Sequence, residues 1–169
     1  MHGGRYSYQN SEYINSKSKV CITCSKHGDF YQTASDHIRG SGCPKCRIDN
    51  AKDNWCSKVT KSNLGSIYLA KFNNDVDSFI KIGITTQDFS KRFRGRKLSG
   101  NYNIECLYFY SSEDKQYIWD LEQQIKNDFK EHAYKPHTYF GGAMTECFST
   151  SVEDQIKQYL TSKTTFKNE

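Results

Sequence analysis

The sequence predicts an α+β fold, in which a small mixed sheet with flanking helices follows a small cysteine-rich module. Two Cys-x-x-Cys pairs lie within residues 20–46, whereas after residue 65 apolar runs of strand length alternate with runs of helical period. Between them, segment 48–64 is polar, with only a short helix expected around Ala51–Val59. A length of 169 residues suits one ordinary domain or two small ones. We therefore expect a module at 1–47, a linker at 48–64 and a domain at 65–169.

Composition excludes several classes of protein. An aromatic content of 14% argues against wholesale disorder, although the mean hydropathy of -0.84 is polar. No apolar run approaches the roughly 20 residues of a membrane span, so an integral membrane protein is excluded. The first ten residues, MHGGRYSYQN, contain no apolar signal core. We expect a cytoplasmic protein with no membrane partner.

The positive charge is unevenly distributed. The net charge is 24 − 19 = +5, and residues 1–64 hold ten Lys or Arg against five Asp or Glu, while residues 65–169 hold fourteen of each. The balanced part still contains one dense basic run, Lys91–Lys97. Both features favour a polyanion such as DNA as partner, since neutralised phosphates release counterions.

The cysteine spacing predicts a structural zinc site. Cys21 and Cys24 form one pair, Cys43 and Cys46 form a second pair about 18 residues later, and His27 follows Cys24 by three residues. Each pair can place two side chains on one ion at a tight turn, and thiolates with a neutral imidazole suit tetrahedral zinc. An odd total of seven cysteines without a secretory context disfavours a disulfide framework.

Two ligand sets are compatible with this spacing. The simplest set is the four paired cysteines. In the other, His27 replaces Cys21, because residues 20, 22 and 24 share one strand face and Cys21 then points away from a site at the strand's end. A ligand-turn-ligand arrangement from Cys24 to His27 is also plausible, with Gly28 allowing the tight backbone. We favour Cys24, His27, Cys43 and Cys46.

Residues 20–46 resemble a zinc finger common in phage-encoded endonucleases. The resemblance rests on C-x-x-H-G-x-F beginning at Cys24 and on H-I-R-G-x-G-C-P-x-C beginning at His37. It implies that module 1–47 helps a nuclease to hold DNA. We expect His37 to pack under the finger rather than to bind the ion.

The second module shows a regular order of elements. We expect two strands that form a hairpin, a short helix through the basic run, a third strand, a long helix and a last amphipathic helix. Their expected ranges are Ile67–Phe72, Phe79–Ile84, Asp88 or Ser90 to Leu98, Ile104–Tyr110, Glu113–His132 and Val152–Leu160.

The long helix holds an unusual carboxylate. At about 100° per residue, an apolar stripe runs along one face, and Glu122 falls inside it, about 40° from Ile118. A carboxylate among apolar neighbours costs several kcal/mol unless it is paired or binds metal. An internal salt bridge to Arg92 or Arg94 would satisfy it, but we favour a metal-holding or catalytic role.

Residues 65 to about 150 resemble the GIY-YIG nuclease core. The motifs are S-I-Y ending at Tyr68, K-I-G beginning at Lys81 and D-F-S-K-R-F around Arg92, and Glu122 falls on the family's metal-binding glutamate. The resemblance implies metal-dependent hydrolysis of DNA phosphodiesters. In it Tyr68 acts as general base, Arg92 holds the scissile phosphate, and Glu122 anchors Mg²⁺ or Mn²⁺. Lys81 replaces the usual tyrosine and is expected to favour the Tyr68 phenolate.

Four basic residues are expected to lie along the DNA backbone, namely Lys91, Arg94, Arg96 and Lys97. The leading interpretation is therefore a zinc-finger endonuclease acting on double-stranded DNA, of phage homing type. A restriction-type endonuclease fits the same residues. Because Lys81 departs from the family pattern and its late asparagine has no clear match, a non-catalytic zinc-dependent DNA-binding protein is a further alternative. A structural or adaptor protein that uses zinc only for folding is disfavoured by the basic run and by Glu122.

Overall fold

A computed structural model describes residues 2–93, 102–137 and 144–165. The chain divides into two compact units, Met1–Ser57 and Lys58–Glu169. We call them the N-terminal unit and the C-terminal unit.

The N-terminal unit is a three-stranded antiparallel sheet followed by two helices. The strands pair in the order β1-β2-β3. The elements are β1 (Tyr6–Ser7), β2 (Lys19–Cys24), β3 (Gly28–Thr33), α1 (Ala34–Ile38) and α2 (Pro44–Cys56). Helix α2 thus begins well before the short helix expected around Ala51–Val59.

A small core and one turn shape this sheet. Val20 and Ile22, on the same face of β2, are buried with Ala34 against partly buried aromatic rings. Gly28, the first residue of β3 after the turn from β2, has φ +72°, a left-handed conformation that glycine adopts without steric cost. The turn reverses the chain directly after Cys24 and so places the His27 ring close to the Cys24 sulfur.

The C-terminal unit contains a four-stranded antiparallel sheet with helices. The strand order is β6-β4-β5-β7. The elements are β4 (Gly65–Asn73), β5 (Ser78–Thr85), α3 (Phe89–Phe93), β6 (Asn103–Ser112), α4 (Lys115–Asp128), β7 (Cys147–Ser149) and α5 (Glu153–Thr165), with 3-10 turns at Lys130–His132, Met144–Glu146 and Thr150–Val152.

The α+β class is confirmed, and the sheets of the described residues are antiparallel. The three predicted strands lie in β4, β5 and β6. The long helix ends at Asp128 instead of His132, where a 3-10 turn follows. The short strand β7 was not predicted; it lies beside β5, far away in the sequence.

Strand β4 is the centre of the C-terminal unit. It pairs with β5 on one side and β6 on the other, and seven of its nine residues are buried. Tyr68, Ala70 and Phe72 pack in one cluster with Phe79 and Cys147. A strand buried on both faces reads as a continuous apolar run, as this one does. It therefore provides a rigid base for the side chains that it carries.

Helix α4 packs on β4 and β5. Its N-terminus is capped by Asp114, whose carboxylate accepts a hydrogen bond from the backbone N–H of Tyr117 at 2.8 Å. Ile118, Leu121 and Ile125 are buried, as the predicted stripe requires. Glu122 is buried with them and is only 3% exposed.

None of the helices in the part of the chain that the structure describes has the length and apolar character that crossing a membrane requires.

Candidate functional site

Four side chains of the N-terminal unit converge on one point. The ligand atoms of Cys24, His27, Cys43 and Cys46 all lie within 4.8 Å of one another. The His27 Nδ1 atom is 3.2 Å from the Cys46 sulfur, 3.7 Å from that of Cys43 and 3.8 Å from that of Cys24. Three thiols and an imidazole form a donor set that suits tetrahedral zinc. This cluster could bind zinc.

The structure places His27, and not Cys21, in this cluster. Cys21 lies opposite Tyr31 in the β2–β3 register. A hydrogen bond between these two side chains raises the pKa of Tyr31. The alternation of side chains along β2 explains the result, because Cys24 faces the cluster with the buried side and Cys21 projects from the other side.

Hydrogen bonds prepare one thiol for metal binding. Burial by itself raises the pKa of the Cys24 thiol, but the backbone N–H groups of Lys26 and His27 and the side chains of His27 and Cys46 outweigh burial. Together they lower this pKa from 9.0 to about 6. The thiolate is the metal-binding form of cysteine, so Cys24 is largely ready to bind at neutral pH.

A carboxylate supports the cluster from outside. The second ring nitrogen of His27, Nε2, lies 3.0 Å from the Asp49 carboxylate, which also accepts a hydrogen bond from Lys26 at 2.5 Å. Metal-binding histidines commonly donate their other ring N–H to a carboxylate, which fixes the ring orientation. Sequence reasoning missed Asp49, although its position three residues after Cys46 on α2 places both on one helix face.

His37 is buried beside the sheet and is not part of the cluster. Its ring stacks on His2 with centroids 4.2 Å apart, and its Nε2 lies 2.8 Å from the Tyr8 hydroxyl. Burial, and then the charge of His2, lower its pKa. This position agrees with the expected packing role.

A cavity of about 170 Å³ in the C-terminal unit gathers residues from distant parts of the sequence. Its lining includes three of the predicted catalytic residues, Tyr68 from β4, Arg92 from α3 and Glu122 from α4, together with Lys126 and Glu146. In the sheet Tyr68 lies directly opposite Gly83 on β5, and both residues line this cavity.

Tyr68 reaches the cavity because Gly83, directly opposite on β5, has no side chain. A Cβ atom on Gly83 would lie 2.4 Å from the Tyr68 hydroxyl oxygen. Burial raises the pKa of Tyr68, and the nearby Glu146 and Glu122 raise it further. The charge of Arg92 and its hydrogen bond to the phenol act in the opposite direction without overcoming burial. Tyr68 is therefore protonated at neutral pH in this state of the protein.

Glu122 is a buried carboxylate with polar neighbours. Gln123 donates to its Oε2 atom at 2.9 Å, and the Lys126 ammonium lies 3.1 Å from the same oxygen. Burial raises the pKa of Glu122; Lys126 opposes this shift and Glu146 adds to it. The structure pairs Glu122 with Lys126 and not with Arg92, one of the two partners considered from the sequence; the other, Arg94, lies outside the described residues.

Lys81 pairs with Glu146. Its ammonium is 2.5 Å from the Glu146 Oε2 atom, and the Lys81 side chain is 3% exposed. The other oxygen of Glu146 is 3.6 Å from Lys126. Lys81, Glu146, Lys126 and Glu122 therefore form one continuous chain of alternating charges. Sequence reasoning missed Lys126 and Glu146; only Lys126, four residues after Glu122 on α4, had a local signal.

The predicted DNA-backbone residues lie mostly outside the described residues. Lys91 is on α3, is exposed, and pairs with Asp88 at 2.7 Å. Arg94, Arg96 and Lys97 fall outside the residues that the structure describes.

Comparisons with known proteins place these two sites in context. Residues 1–47 match a family model described as "Protein of unknown function (DUF723)". The chain is 23% identical over 148 residues, 86% of its length and 47% of the relative's, to a protein named "Putative endonuclease" from Escherichia phage T5. Another phage T5 protein of the same name is 24% identical over 119 residues, 69% of this chain and 44% of the relative.

A third relative has a higher sequence identity over a shorter stretch of the chain. An uncharacterised protein, R97, of Acanthamoeba polyphaga mimivirus is 42% identical over 50 residues, 29% of this chain and 18% of that protein. No solved structure matches the chain. The chain thus spans less than half the length of each of these three relatives.

Proposed function

We propose that this chain is a metal-dependent endonuclease that hydrolyses phosphodiester bonds of double-stranded DNA with an active site of GIY-YIG type. The observation that carries the proposal is the cavity that Tyr68, Arg92 and Glu122 line together. Three residues of the expected chemistry, separated by up to 54 positions (122 − 68 = 54), meet at one place. The two phage T5 relatives with an endonuclease name support the same class of activity.

Arg92 is suited to bind the scissile phosphate. Its Nε atom is buried and has no hydrogen-bond partner among the described residues. A buried donor without a partner costs about 1–3 kcal/mol, and more when it is charged, so an anionic group entering the cavity would recover this cost. The guanidinium fork matches phosphate oxygens with two parallel hydrogen bonds.

Glu122 and Glu146 are the residues that would hold a divalent ion. Mg²⁺ and Mn²⁺ prefer oxygen ligands, and a cation already lies near both carboxylates, because the Lys126 ammonium is 3.1 Å from one and 3.6 Å from the other. When bound, the ion stabilises negative charge on the phosphate and the leaving oxygen. Glu122 alone was predicted for this role. Glu146 is added because it lines the same cavity.

Tyr68 is proposed to accept the proton of the attacking water. Only the phenolate can accept this proton, so the phenol must first release its own proton to solvent, and the raised pKa opposes that release. Arg92 is the nearby cation that most favours the phenolate. A divalent ion held by Glu122 and Glu146 would neutralise the two carboxylate charges that oppose phenolate formation. Lys81 would then favour the phenolate indirectly, because its ion pair with Glu146 offsets the charge of that carboxylate.

The zinc cluster is proposed to be structural. The N-terminal unit buries few apolar side chains, so bound metal would supply much of its folding free energy. We further propose that the protein is of phage homing type and acts in the cytoplasm of the host cell, with Lys91, Arg94, Arg96 and Lys97 along the DNA backbone.

Cleavage of phage and host DNA, with Mg²⁺, Mn²⁺ or EDTA present, tests the activity. We expect metal-dependent cutting by the wild type, and loss of cutting by Glu122→Gln with DNA binding retained. Glu131→Gln is the matched control, because Glu131 is exposed in the 3-10 turn after α4. Cutting by Glu122→Gln at the wild-type rate would contradict the assigned site.

A non-catalytic zinc-dependent DNA-binding protein is the second candidate. It is favoured by the raised pKa of Tyr68 and by Lys126, which already neutralises the paired carboxylates. It predicts DNA binding without cutting under every metal condition, so the same assay separates the two candidates.

A further inference from the structure

A cleft in the N-terminal unit is strongly basic. It encloses about 820 Å³, and three arginines line it, Arg5, Arg39 and Arg47, without any aspartate or glutamate. Its other polar side chains include Gln32, Asn50 and Asn54. The cleft lies beside the metal cluster, since Cys43 and Cys46 also belong to its lining. Such a surface suits a polyanion.

Helix α2 contributes one side of this cleft. Arg47, Asn50, Ala51 and Asn54 occupy positions i, i+3, i+4 and i+7, so they form one stripe along the helix. None of the thirteen residues of α2 is buried. A helix that buries no residue is not held by an apolar core, and here the metal cluster at its first turn fixes its start.

The side chains of the stripe have the chemistry of base recognition. Arginine pairs bidentately with guanine, asparagine pairs bidentately with adenine, and alanine contacts the thymine methyl group in the major groove. Arg5 and Arg39 lie outside the stripe: Arg5 directly precedes β1, and Arg39 directly follows α1. Arginine side chains that do not reach base edges commonly contact the DNA phosphates.

We propose that this cleft binds double-stranded DNA, with the Arg47–Asn54 face of α2 in the major groove and with Arg5 and Arg39 on the phosphates. The inference rests on the proposed function, because it takes DNA as the substrate from there, and it adds which surface selects the sequence. The nuclease cavity then cuts, whereas the N-terminal unit chooses the site.

The shape of the groove favours DNA over RNA. The major groove of B-form DNA is about 12 Å wide and accepts an α-helix of about 10–12 Å diameter. The major groove of an RNA duplex is deep and narrow, and side chains cannot read it. The charge of the lining is complementary to either, so RNA is tested as a competing partner.

Selection from a pool of random DNA duplexes tests the inference. The zinc-loaded protein of 169 residues carries Glu122→Gln to prevent cutting, and its selected duplex serves as the probe in binding titrations at several salt concentrations. We expect Arg39→Ala to weaken binding to all duplexes and to reduce the salt slope by about 1. Arg47→Ala, Asn50→Ala and Asn54→Ala should each weaken binding to the selected duplex roughly 5- to 150-fold and alter the selected bases.

Lys45→Ala is the matched control. Lys45 is an exposed cation on the same turn of α2 but does not line the cleft. Zinc content measured on each variant reports folding. If Arg47→Ala loses zinc, Arg47→Lys replaces it, because lysine keeps the charge and loses the bidentate geometry. It should then lose base preference while keeping the salt slope.

Several results would overturn the inference. They are equal losses of affinity for Lys45→Ala and Arg47→Ala, unchanged selected bases in all three stripe variants, or tighter binding of an RNA duplex than of the selected DNA. The nuclease proposal fails separately: if selected DNA is bound as expected and never cut, the binding surface stands and the catalytic assignment does not. If DNA is cut with unchanged sites by the stripe variants, the reverse holds.

Discussion

At the scale of single residues, the position of Tyr68 depends on Gly83, the residue opposite it, having no side chain. Its ring and hydroxyl occupy the space that a Gly83 side chain would fill, with the phenol ring carbon nearest the hydroxyl 2.6 Å from the Cβ position. Both residues belong to a rigid antiparallel pair, so the backbone has little freedom to move apart. The small residue is needed for packing even before any chemistry is considered.

Gly83→Ala is therefore expected to lower the free energy of unfolding by about 1–3 kcal/mol, the usual cost of overpacking. Urea denaturation measures this cost. In a Tyr68→Leu background the same change should cost clearly less, because the ring that clashes is gone. Equal costs in both backgrounds would show that the two side chains do not compete for this space.

A second residue-scale prediction concerns Tyr134. Its hydroxyl donates to the Asp77 carboxylate at 2.6 Å, and this hydrogen bond, more than burial, raises the pKa of Tyr134 to about 12. A group with a raised native pKa contributes stability below its unfolded value, near 10, and loses it as pH rises through the native value. The stability advantage of wild type over Tyr134→Phe should be constant below about pH 10 and shrink between about pH 10 and 12. Denaturation series in that window measure it, and a constant difference would contradict the hydrogen bond.

At the scale of elements, Asp77 fastens the β4–β5 turn to the segment after α4. Its side chain is fully buried, and it accepts hydrogen bonds from the hydroxyls of Tyr102 and Tyr134 and from the backbone N–H and ring of His137. A buried carboxylate with several donors organises the elements that supply them. The partners come from two places in the chain, 25 and about 60 residues away.

Asp77→Ala is expected to lower the free energy of unfolding by about 1–3 kcal/mol, because the buried Tyr102 hydroxyl and the partly buried Tyr134 hydroxyl lose their acceptor. Asp75→Ala, an exposed change in the same turn, is the control and should stay within about 0.5 kcal/mol of wild type. Thermal or urea unfolding provides both values. Similar effects from both changes would mean that the turn, and not the carboxylate, matters.

The ligand choice of the metal cluster is also tested at this scale. His27→Ala should lose bound zinc, because Nδ1 of His27 lies among the three sulfurs, whereas Cys21→Ser should keep it, because Cys21 faces Tyr31. Zinc content by mass spectrometry is the measurement. Asp49→Asn should keep zinc but bind it about 10- to 100-fold more weakly, since only the support of the imidazole changes.

Elements with a local signal could be predicted from the sequence. The strands β4, β5 and β6 and the buried face of α4 follow from periodicity, and a carboxylate inside an apolar stripe identified Glu122. Glu146 and β7 could not be found in this way. Glu146 reaches Lys81 only because three residues after it pair with β5, a contact across 65 positions that no local pattern encodes. Asp77 was missed because an acidic residue in a turn is usually exposed.

At the scale of the whole molecule, the two units have separate sources of stability. The C-terminal unit has a sheet with an apolar core around β4, whereas the N-terminal unit has a small core and the cluster of three cysteines and one histidine that could bind zinc. A bound metal contributes its binding free energy to folding, and this contribution matters most in a small domain that buries few apolar side chains. Removal of zinc should therefore act on one unit and leave the other folded.

The two tryptophans allow this to be measured separately, because Trp55 lies in α2 of the N-terminal unit and Trp119 lies in α4 of the C-terminal unit. In the Trp119→Phe protein, a zinc chelator should abolish the cooperative transition of Trp55 fluorescence, and added zinc should restore it. In the Trp55→Phe protein, the urea midpoint of Trp119 fluorescence should be unchanged by the chelator. A chelator-induced shift of the Trp119 midpoint would show that zinc stabilises both units together, and a Trp55 transition that survives chelation would show that the cluster does not hold the N-terminal unit.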